Sequence, residues 1–167
     1  MRVLFLGAVT ARKGVRELMR AWDEINRRGS SLHLSILGDG DLANDLAMWA
    51  NEAENVEFRR SPSREEIHAE LRAARVVVLL SKSEKYWREQ IGLPLLEGLA
   101  HACRIVTTSQ TGIADWLMDH GHFVIDDASN PALAADAIQA AATMGVWSTD
   151  DLPDVNGRAA AAAWMHV

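Results

Sequence analysis

Two carboxylates flank a glycine–proline junction near the middle of the chain, in the segment Glu89-Gln-Ile-Gly-Leu-Pro-Leu-Leu-Glu97. Gly92 permits a tight loop, and Pro94 suits the first turn of a helix, where its missing N–H costs nothing. The start of a helix presents free N–H groups and the positive end of the helix dipole, which together favour a phosphate. Carboxylates accept hydrogen bonds from hydroxyl groups. The spacing therefore predicts a site for a ligand with both phosphates and hydroxyls, such as a sugar nucleotide.

Glu97 interrupts the otherwise apolar helical segment 93–100. A carboxylate on such a helix is costly if it is buried without a partner, so it must face solvent, pair with a cation or meet a ligand. Glu89 lies in a charged loop, where a solvated acid is the ordinary interpretation. Its spacing to Gly92 and Glu97 favours a functional role instead.

A second candidate segment, Thr10-Ala-Arg-Lys-Gly14, lies between the first predicted strand and the first predicted helix. Adjacent Arg12 and Lys13 can hold a diphosphate through charge pairing and backbone N–H groups. The alternative is two solvated cations at a helix start, where cations are slightly unfavourable. Gly7 and Gly14 do not follow the dinucleotide-binding glycine pattern, which disfavours a nicotinamide-dependent oxidoreductase.

Two further glycine loops follow predicted strands. In Gly38-Asp-Gly40 the backbone can approach a flat base or a ribose closely, but the same residues suit an ordinary turn followed by an Asp41 helix cap. The sequence leaves both interpretations open. The loop Thr111-Gly-Ile-Ala-Asp115 offers backbone amides to a sugar or a phosphate.

Short β-rich segments alternate with helical patterns through most of the chain, and these elements must position the candidate residues. Strands are predicted over residues 2–6, 32–37, 56–58, 76–80, 105–108 and 122–125. Helices are predicted over residues 14–28, 42–53, 63–73, 93–102 and 131–144. This alternation predicts an α/β fold with a Rossmann-like, doubly wound parallel sheet, in which ligands bind at the carboxyl ends of the strands.

The length of 167 residues fits one domain, predicted over 1–145, followed by a tail over 146–167 with a loop and a short helix. The formal net charge of −6 and the absence of a long basic run argue against nucleic-acid and anionic-membrane binding. No run approaches the roughly 20 apolar residues of a membrane span, and the chain begins directly with a strand pattern, so no signal peptide is expected.

Cysteine and histidine content points to a protein without disulfides or metal. Cys103 is the single cysteine, which excludes an internal disulfide and predicts a reducing, cytoplasmic compartment and a buried, inert thiol. His101, His120 and His122 match no familiar zinc spacing, so no metal site is predicted.

Taken together, these segments resemble the C-terminal, donor-binding domain of retaining glycosyltransferase family 4, the glycogen-synthase-like group 1, which has the GT-B fold. The resemblance covers residues 2–144, with the segments in the family's order: Gly7 and Lys13-Gly14, Ile36-Leu-Gly-Asp-Gly40, residues 76–81, the glutamate pair, and Thr111-Gly-Ile-Ala-Asp115. The glutamate pair with its Gly-Leu-Pro context is the most specific of these matches.

The resemblance implies a role for each charged candidate. Lys13, helped by Arg12, would bind the donor diphosphate, and Glu97 would bind the ribose hydroxyls. Glu89 would contact the donor sugar and, with Lys13, would take part in catalysis. Transfer would retain the anomeric configuration and would need neither a metal nor another cofactor.

The resemblance also implies backbone contacts with the donor. The amides of Ile91, Gly92 and Leu93 at the helix start would receive a phosphate. Gly7, with the pair Gly38 and Gly40, would complete the donor site.

Three departures from the family pattern stand out. Ala8 replaces an arginine that often follows the first glycine, and the segment 81–89 is longer than usual. Ala102-Cys103 stands where the family often has a glycine.

A GT-B enzyme has two such domains, with the acceptor site on the N-terminal one, and this chain has room for only one half. It is therefore expected to be an incomplete enzyme that transfers a hexosyl group only with an acceptor-binding domain or partner chain. Peripheral membrane association is expected only through that missing part. The alternative is a non-catalytic nucleotide-sugar-binding or regulatory subunit, which would need the same Lys13 and Glu97.

Overall fold

A computed structural model describes residues 1–83 and 92–149 of the chain. Within these ranges the strands are β1 (Arg2–Leu6), β2 (His33–Leu37), β3 (Val56–Arg59), β4 (Ala74–Leu79), β5 (Arg104–Thr108) and β6 (Phe123–Ile125). The helices are α1 (Val15–Arg27), α2 (Ala43–Glu52), α3 (Arg64–Ala73), α4 (Leu93–Ala100), α5 (Ala114–Asp119) and α6 (Pro131–Thr143). A short 3-10 turn (Ala11–Lys13) precedes α1.

The six strands form one parallel sheet in the order β3-β2-β1-β4-β5-β6. The chain winds outward from β1 to β3 and then returns to β4 on the other side of β1. Right-handed crossovers therefore place α1 and α2 on one face and α3, α4 and α5 on the other. The reversal of strand order between β1 and β4 opens a crevice at their carboxyl ends, where ligands bind in sheets of this kind. The predicted doubly wound fold is confirmed.

The core lies on both faces of the central strands. Val76, Val77, Val78 and Leu79 of β4 are all completely buried, as their continuous apolar pattern predicts. Helix α1 turns a stripe of buried residues toward the sheet: Val15, Leu18, Ala21, Trp22 and Ile25. Each fully buried large aliphatic side chain contributes about 1.5–3 kcal/mol, so this layer fixes the strands that carry the candidate site.

The starts of three helices, α2, α3 and α5, can be compared with the helices predicted from sequence. Ser63 and Glu66 form a capping box at the start of α3, where the predicted helix also begins. The Asp41 cap, one of two interpretations that the sequence left open, is not formed, because α2 has Leu42 at its N-cap and no side-chain capping hydrogen bond. Helix α5 was not predicted at all, because it has only six residues and begins without a side-chain cap.

The junction between α4 and β5 carries local backbone strain. Ala102 adopts φ +60°, a left-handed conformation that favours glycine. The resemblance described above leads one to expect a glycine at this junction, where this chain has Ala102-Cys103. The alanine therefore keeps a turn geometry that a glycine would adopt without cost.

Of the predicted tail, residues 150–167 lie outside the described part of the chain, so its short helix stays a prediction. Trp147 is buried against the domain, with its ring 4.9 Å from that of His122. In the described ranges, no helix is both long enough and apolar enough to cross a membrane.

Candidate functional site

A cleft of about 430 Å³ lies at the carboxyl end of β1. Its lining comes from three parts of the chain that are distant in sequence: Leu6, Gly7, Ala8 and Lys13; Arg64 and Ile67; and Leu93, Pro94 and Glu97. The structure thus brings together four predicted site residues, Gly7, Lys13, Leu93 and Glu97. The remaining lining is largely apolar, so charged groups stand at an otherwise hydrophobic surface.

Lys13 reaches the cleft from the 3-10 turn after β1. The Thr10 side chain caps this turn by accepting a hydrogen bond from the Lys13 backbone N–H at 3.4 Å. Gly14 ends the turn at φ +75°, a left-handed conformation in which glycine carries no steric cost. The predicted loop is therefore a short, capped turn that presents the two adjacent cations, Arg12 and Lys13, before α1.

The glycines beside this turn are explained by close contacts between backbones. A Cβ added to Gly38 would lie 1.8 Å from the carbonyl oxygen of Gly7, and one added to Gly40 would lie 2.4 Å from that of Val9. Neither Gly38 nor Gly40 lines the cleft. Their packing against the segment after β1 is a finding, whereas their contact with a donor stays a prediction.

Asp39, between these two glycines, is held by its neighbours. Its carboxylate accepts hydrogen bonds from Arg60 Nη2 and from the Gly40 N–H, at 2.9 and 2.8 Å. These bonds, with that of Arg60 the larger cause, lower the pKa of the Asp39 carboxyl. The turn is thereby fixed by the Asp39 carboxylate and not by an Asp41 cap.

Glu97 pairs with a cation that the sequence did not identify. Arg64 Nη1 lies 2.9 Å from Glu97 Oε1, and the two side chains are 67% and 30% exposed. One of the three outcomes expected for Glu97, pairing with a cation, is thus the observed one. A sequence signal for Arg64 exists, because a cation directly after the Ser63 cap lies at the unfavourable end of the helix dipole.

A second contact between α3 and α4 supports this pair. The rings of His68 and His101 stack with their centroids 5.6 Å apart, each one helical turn beyond Arg64 and Glu97 respectively. His101 Nδ1 also lies 2.8 Å from the Glu97 carbonyl oxygen. Among the described residues, no group of three or more His, Cys, Asp or Glu side chains could hold a metal ion.

The start of α4 forms another edge of the cleft. Gly92 is its N-cap at φ +70°, with no side-chain capping hydrogen bond, and Leu93 is 70% exposed. The predicted contacts Glu89 and Ile91 lie outside the described residues. Their roles, and the phosphate contact at the amides of Gly92 and Leu93, stay predictions.

A smaller cleft of about 200 Å³ lies at the carboxyl ends of β4, β5 and β6. It is lined by Ser81, Lys82, Ser83, Thr108, Gln110, Asp126, Asp127, Ala128 and Ser129. The nearby loop at Thr111 uses its amides internally: Thr111 N–H donates to Thr108 O, and Ala114 N–H donates to Thr111 O. The sequence suggested that amides of this loop could bind a sugar or a phosphate. Those two amides are not available for that role.

Two buried groups are excluded from acid–base or nucleophilic chemistry near neutral pH. The predicted burial of the Cys103 thiol is confirmed, and burial raises its pKa to about 11, which disfavours the reactive thiolate. Burial, with smaller contributions from Arg104 and His120, lowers the pKa of His122 to about 4. Its Nδ1 accepts a hydrogen bond from the Ile105 N–H at 3.2 Å, so the ring is neutral and structural.

The sheet, its strand order and the cleft define one Rossmann-like half of a GT-B fold, and solved structures share it. WaaG, a glycosyltransferase involved in lipopolysaccharide biosynthesis, is 20% identical with a TM-score of 0.67, covering 86% of this chain and 38% of that one. A UDP-forming α,α-trehalose-phosphate synthase from Burkholderia xenovorans is 16% identical with a TM-score of 0.68, covering 86% and 37%. A trehalose-6-phosphate synthase from work on glycosyl transfer with retention is 13% identical with a TM-score of 0.69, covering 87% and 38%.

The family follows from the sequence itself. Residues 1–143 match the family of glycosyl transferases group 1, and the chain belongs to this family. A search of curated protein sequences gives no significant match. The chain spans well under half the length of the three solved glycosyltransferases above.

Proposed function

We propose that this chain is the donor-binding half of a retaining glycosyltransferase and that the cleft binds a nucleoside diphosphate sugar. One observation carries the proposal: Lys13 and Glu97, which lie 84 positions apart in sequence, line the same largely apolar cleft at the carboxyl end of β1. A cation suits the diphosphate, and a carboxylate suits hydroxyl groups. A cleft that offers both beside an apolar surface fits a nucleotide with a sugar attached.

The charged residues Lys13 and Glu97 and three apolar residues of the lining have separate chemical roles in this proposal. Lys13, with Arg12, neutralises the diphosphate, and Glu97 accepts hydrogen bonds from the ribose hydroxyls. Leu6, Ile67 and Pro94 offer an apolar surface to the base. As the bond between sugar and phosphate breaks, negative charge accumulates on the departing diphosphate, and the fixed charge of Lys13 stabilises it.

The relatives support the class of donor and the stereochemistry. The Burkholderia synthase is UDP-forming, and the trehalose-6-phosphate synthase was studied for transfer with retention. UDP-hexose is therefore the first donor to test. Glu89 is proposed to contact the transferred sugar, and the reaction is proposed to need no metal. The buried single cysteine fits a reducing, cytoplasmic location.

The proposed enzyme is incomplete in this chain. Because the chain spans 38% or less of the solved glycosyltransferases compared above, the acceptor site is assigned to another domain or a partner chain. The isolated chain is expected to bind the donor without transferring its sugar. Efficient transfer by the isolated chain to any acceptor would contradict this part of the proposal.

The test is calorimetry of the 167-residue chain with UDP, GDP, ADP and UDP-glucose. One nucleotide should bind, and Lys13→Ala and Glu97→Ala should each weaken its binding by about tenfold or more, or about 1.4 kcal/mol. Arg72→Ala and Glu65→Ala serve as matched controls, because both side chains are exposed on α3 and neither lines the cleft. If no nucleotide binds at millimolar concentration, the donor-site proposal fails.

A further inference from the structure

A buried carboxylate on α1 has no role in the site described so far. Glu17 lies in the first turn of α1 with its side chain only 6% exposed, among the apolar residues that face the sheet. Its Oε1 accepts hydrogen bonds from Lys82 Nζ at 3.0 Å and Arg20 Nη2 at 2.9 Å. Among the described residues, its buried Oε2 has no hydrogen-bond partner. Burying a charged carboxylate costs desolvation energy, and a buried ion pair often adds little to stability. The presence of Glu17 at this position is therefore better explained by a role other than stabilising the fold.

Lys82 connects Glu17 to the turn that carries Lys13. The Lys82 backbone N–H donates to the Arg12 carbonyl oxygen at 2.9 Å, while the Lys82 ammonium binds Glu17. One residue is therefore attached both to the turn and to the helix that follows it. Its ammonium group points to Glu17, and Lys82 does not line the cleft of about 430 Å³.

The surrounding backbone leaves little room for adjustment. A Cβ on Gly14 would lie 2.0 Å from the carbonyl oxygen of Leu80, so the residue that follows β4 packs directly on the turn. A shift of Lys82 would thus move the Arg12 carbonyl and, with it, the adjacent Lys13. Small displacements matter, because a misplacement of about 1 Å in a binding group can cost about a hundredfold in rate.

We infer that Glu17 and Lys82 are positioning residues: the buried carboxylate holds Lys82, and Lys82 holds the turn that presents Lys13 to the donor. The inference rests on the proposed function, since it gives the pair a role in donor binding. Neither residue contacts the donor. Arg20 provides the natural comparison, because it binds the same Glu17 oxygen from a side chain 54% exposed, one turn along the same helix.

The test compares UDP affinity in variants of the full 167-residue chain, by calorimetry, with melting temperature measured in parallel. Lys82→Met and Glu17→Gln should each weaken UDP binding by about tenfold, and the double variant by about tenfold rather than a hundredfold, because the two act as a unit. The conservative variant Lys82→Arg should keep UDP affinity within about threefold of that of the unaltered chain, because the arginine guanidinium can still pair with the Glu17 carboxylate. Arg20→Met should stay within about twofold.

Amide hydrogen exchange separates this inference from the donor-site proposal. Exchange at the Lys82 N–H, which donates to Arg12 O, should accelerate about tenfold in Glu17→Gln and stay unchanged in Arg20→Met, with no nucleotide present. Unchanged exchange in Glu17→Gln overturns the inference whether or not UDP binds. UDP affinity within twofold of the unaltered chain in Lys82→Met, or equal losses in Lys82→Met and Arg20→Met, also overturns it.

If the unaltered chain binds none of the nucleotides of the panel, the donor-site proposal fails, and the role of the pair in donor binding fails with it; if it binds GDP or ADP instead of UDP, the same variants are compared with that nucleotide. Accelerated exchange at Lys82 would then still establish that Glu17 holds the turn. If UDP binds and the variants behave as stated, both proposals are supported.

Discussion

Two regions at the carboxyl edge of the sheet, one after β1 and β2 and the other after β5, are held together by different kinds of contact. At the carboxyl ends of β1 and β2, backbone packs on backbone at Gly14 and Gly38, and the side chains of Lys13, Arg64 and Glu97 are left to line a cleft. At the carboxyl end of β5, the side chains themselves make the connections: Thr107 Oγ1 donates to Leu79 O at 2.8 Å, and Thr108 Oγ1 donates to Ser81 O at 2.5 Å.

This difference explains why similar glycine loops have different prospects as binding sites. Where glycines supply the close packing, the backbone makes the structural contacts and charged side chains lie at the cleft surface. At Thr111 the threonine hydroxyls and two loop amides satisfy each other, so these groups hold the structure together rather than facing a ligand. Changes to the cleft side chains of the first region should therefore affect binding, whereas changes to its glycines, or to the threonines of the second region, should affect stability.

The largest effect should follow from adding a methyl group at the backbone contact beside the cleft. Gly14→Ala should destabilise the domain by more than about 4 kcal/mol, or prevent folding, because its Cβ would lie 2.0 Å from Leu80 O and its φ is +75°. Urea unfolding measures this. Gly145→Ala is the control, with nothing within 4 Å of its Cβ, and should change stability by less than about 0.5 kcal/mol. Equal effects in both variants would refute the role of backbone packing.

His122 should make the β5–β6 region sensitive to acid. Its pKa falls from the ordinary 6.5 to about 4 on folding, because burial disfavours the charged ring, so the native state binds fewer protons than the unfolded chain. Stability is thus complete above pH 6.5 and is lost as pH falls from 6.5 toward 4, with about 2 kcal/mol lost at pH 5 relative to pH 8.

The measurement is the free energy of unfolding at both pH values in the unaltered chain, in His122→Asn and in the exposed control His33→Asn. The difference in unfolding free energy between pH 8 and pH 5 should become about 2 kcal/mol smaller in His122→Asn and should not change in His33→Asn. The asparagine amide oxygen can still accept the hydrogen bond from the Ile105 N–H. An unchanged pH dependence in His122→Asn would show that this histidine does not titrate as stated.

Loss of one threonine hydroxyl should cost stability and leave binding intact. Thr107→Val keeps the side-chain shape but removes the hydrogen bonds to Leu79 O and Thr111 Oγ1, which should cost about 1–3 kcal/mol. UDP affinity should not change. Thr143→Val, at an exposed hydroxyl, is the matched control. A change in UDP affinity with Thr107→Val would break the division between the two regions.

The smallest effect is expected at Glu97, and it should appear in binding alone. Glu97→Gln should weaken UDP binding by about tenfold, or about 1.4 kcal/mol, because a neutral amide accepts the ribose hydroxyls less strongly. Stability should change by less than about 0.5 kcal/mol, since its ion pair with Arg64 is largely exposed. A loss of stability without a loss of affinity would place Glu97 with the structural residues instead.

Several residues that line the cleft could be singled out from sequence because their signals are local. The segment around Lys13, the Gly92–Pro94 junction and the carboxylate of Glu97 each stand out within a few residues of sequence. Arg64 could not be assigned in the same way, because its significance depends on α3 and α4 being neighbours. The glycines Gly38 and Gly40 were recognised as unusual, but sequence could not tell close backbone packing from contact with a ligand.

The sequence alone determined the alternation of strands and helices, the burial of β4 and the family, because hydrophobic periodicity and short motifs are properties of neighbouring residues. Only the tertiary structure decided which charged groups meet: Arg64 with Glu97, and Lys82 with the buried Glu17. The strand order at β1 and β4 brings distant segments to one edge of the sheet, and no local pattern encodes those distances.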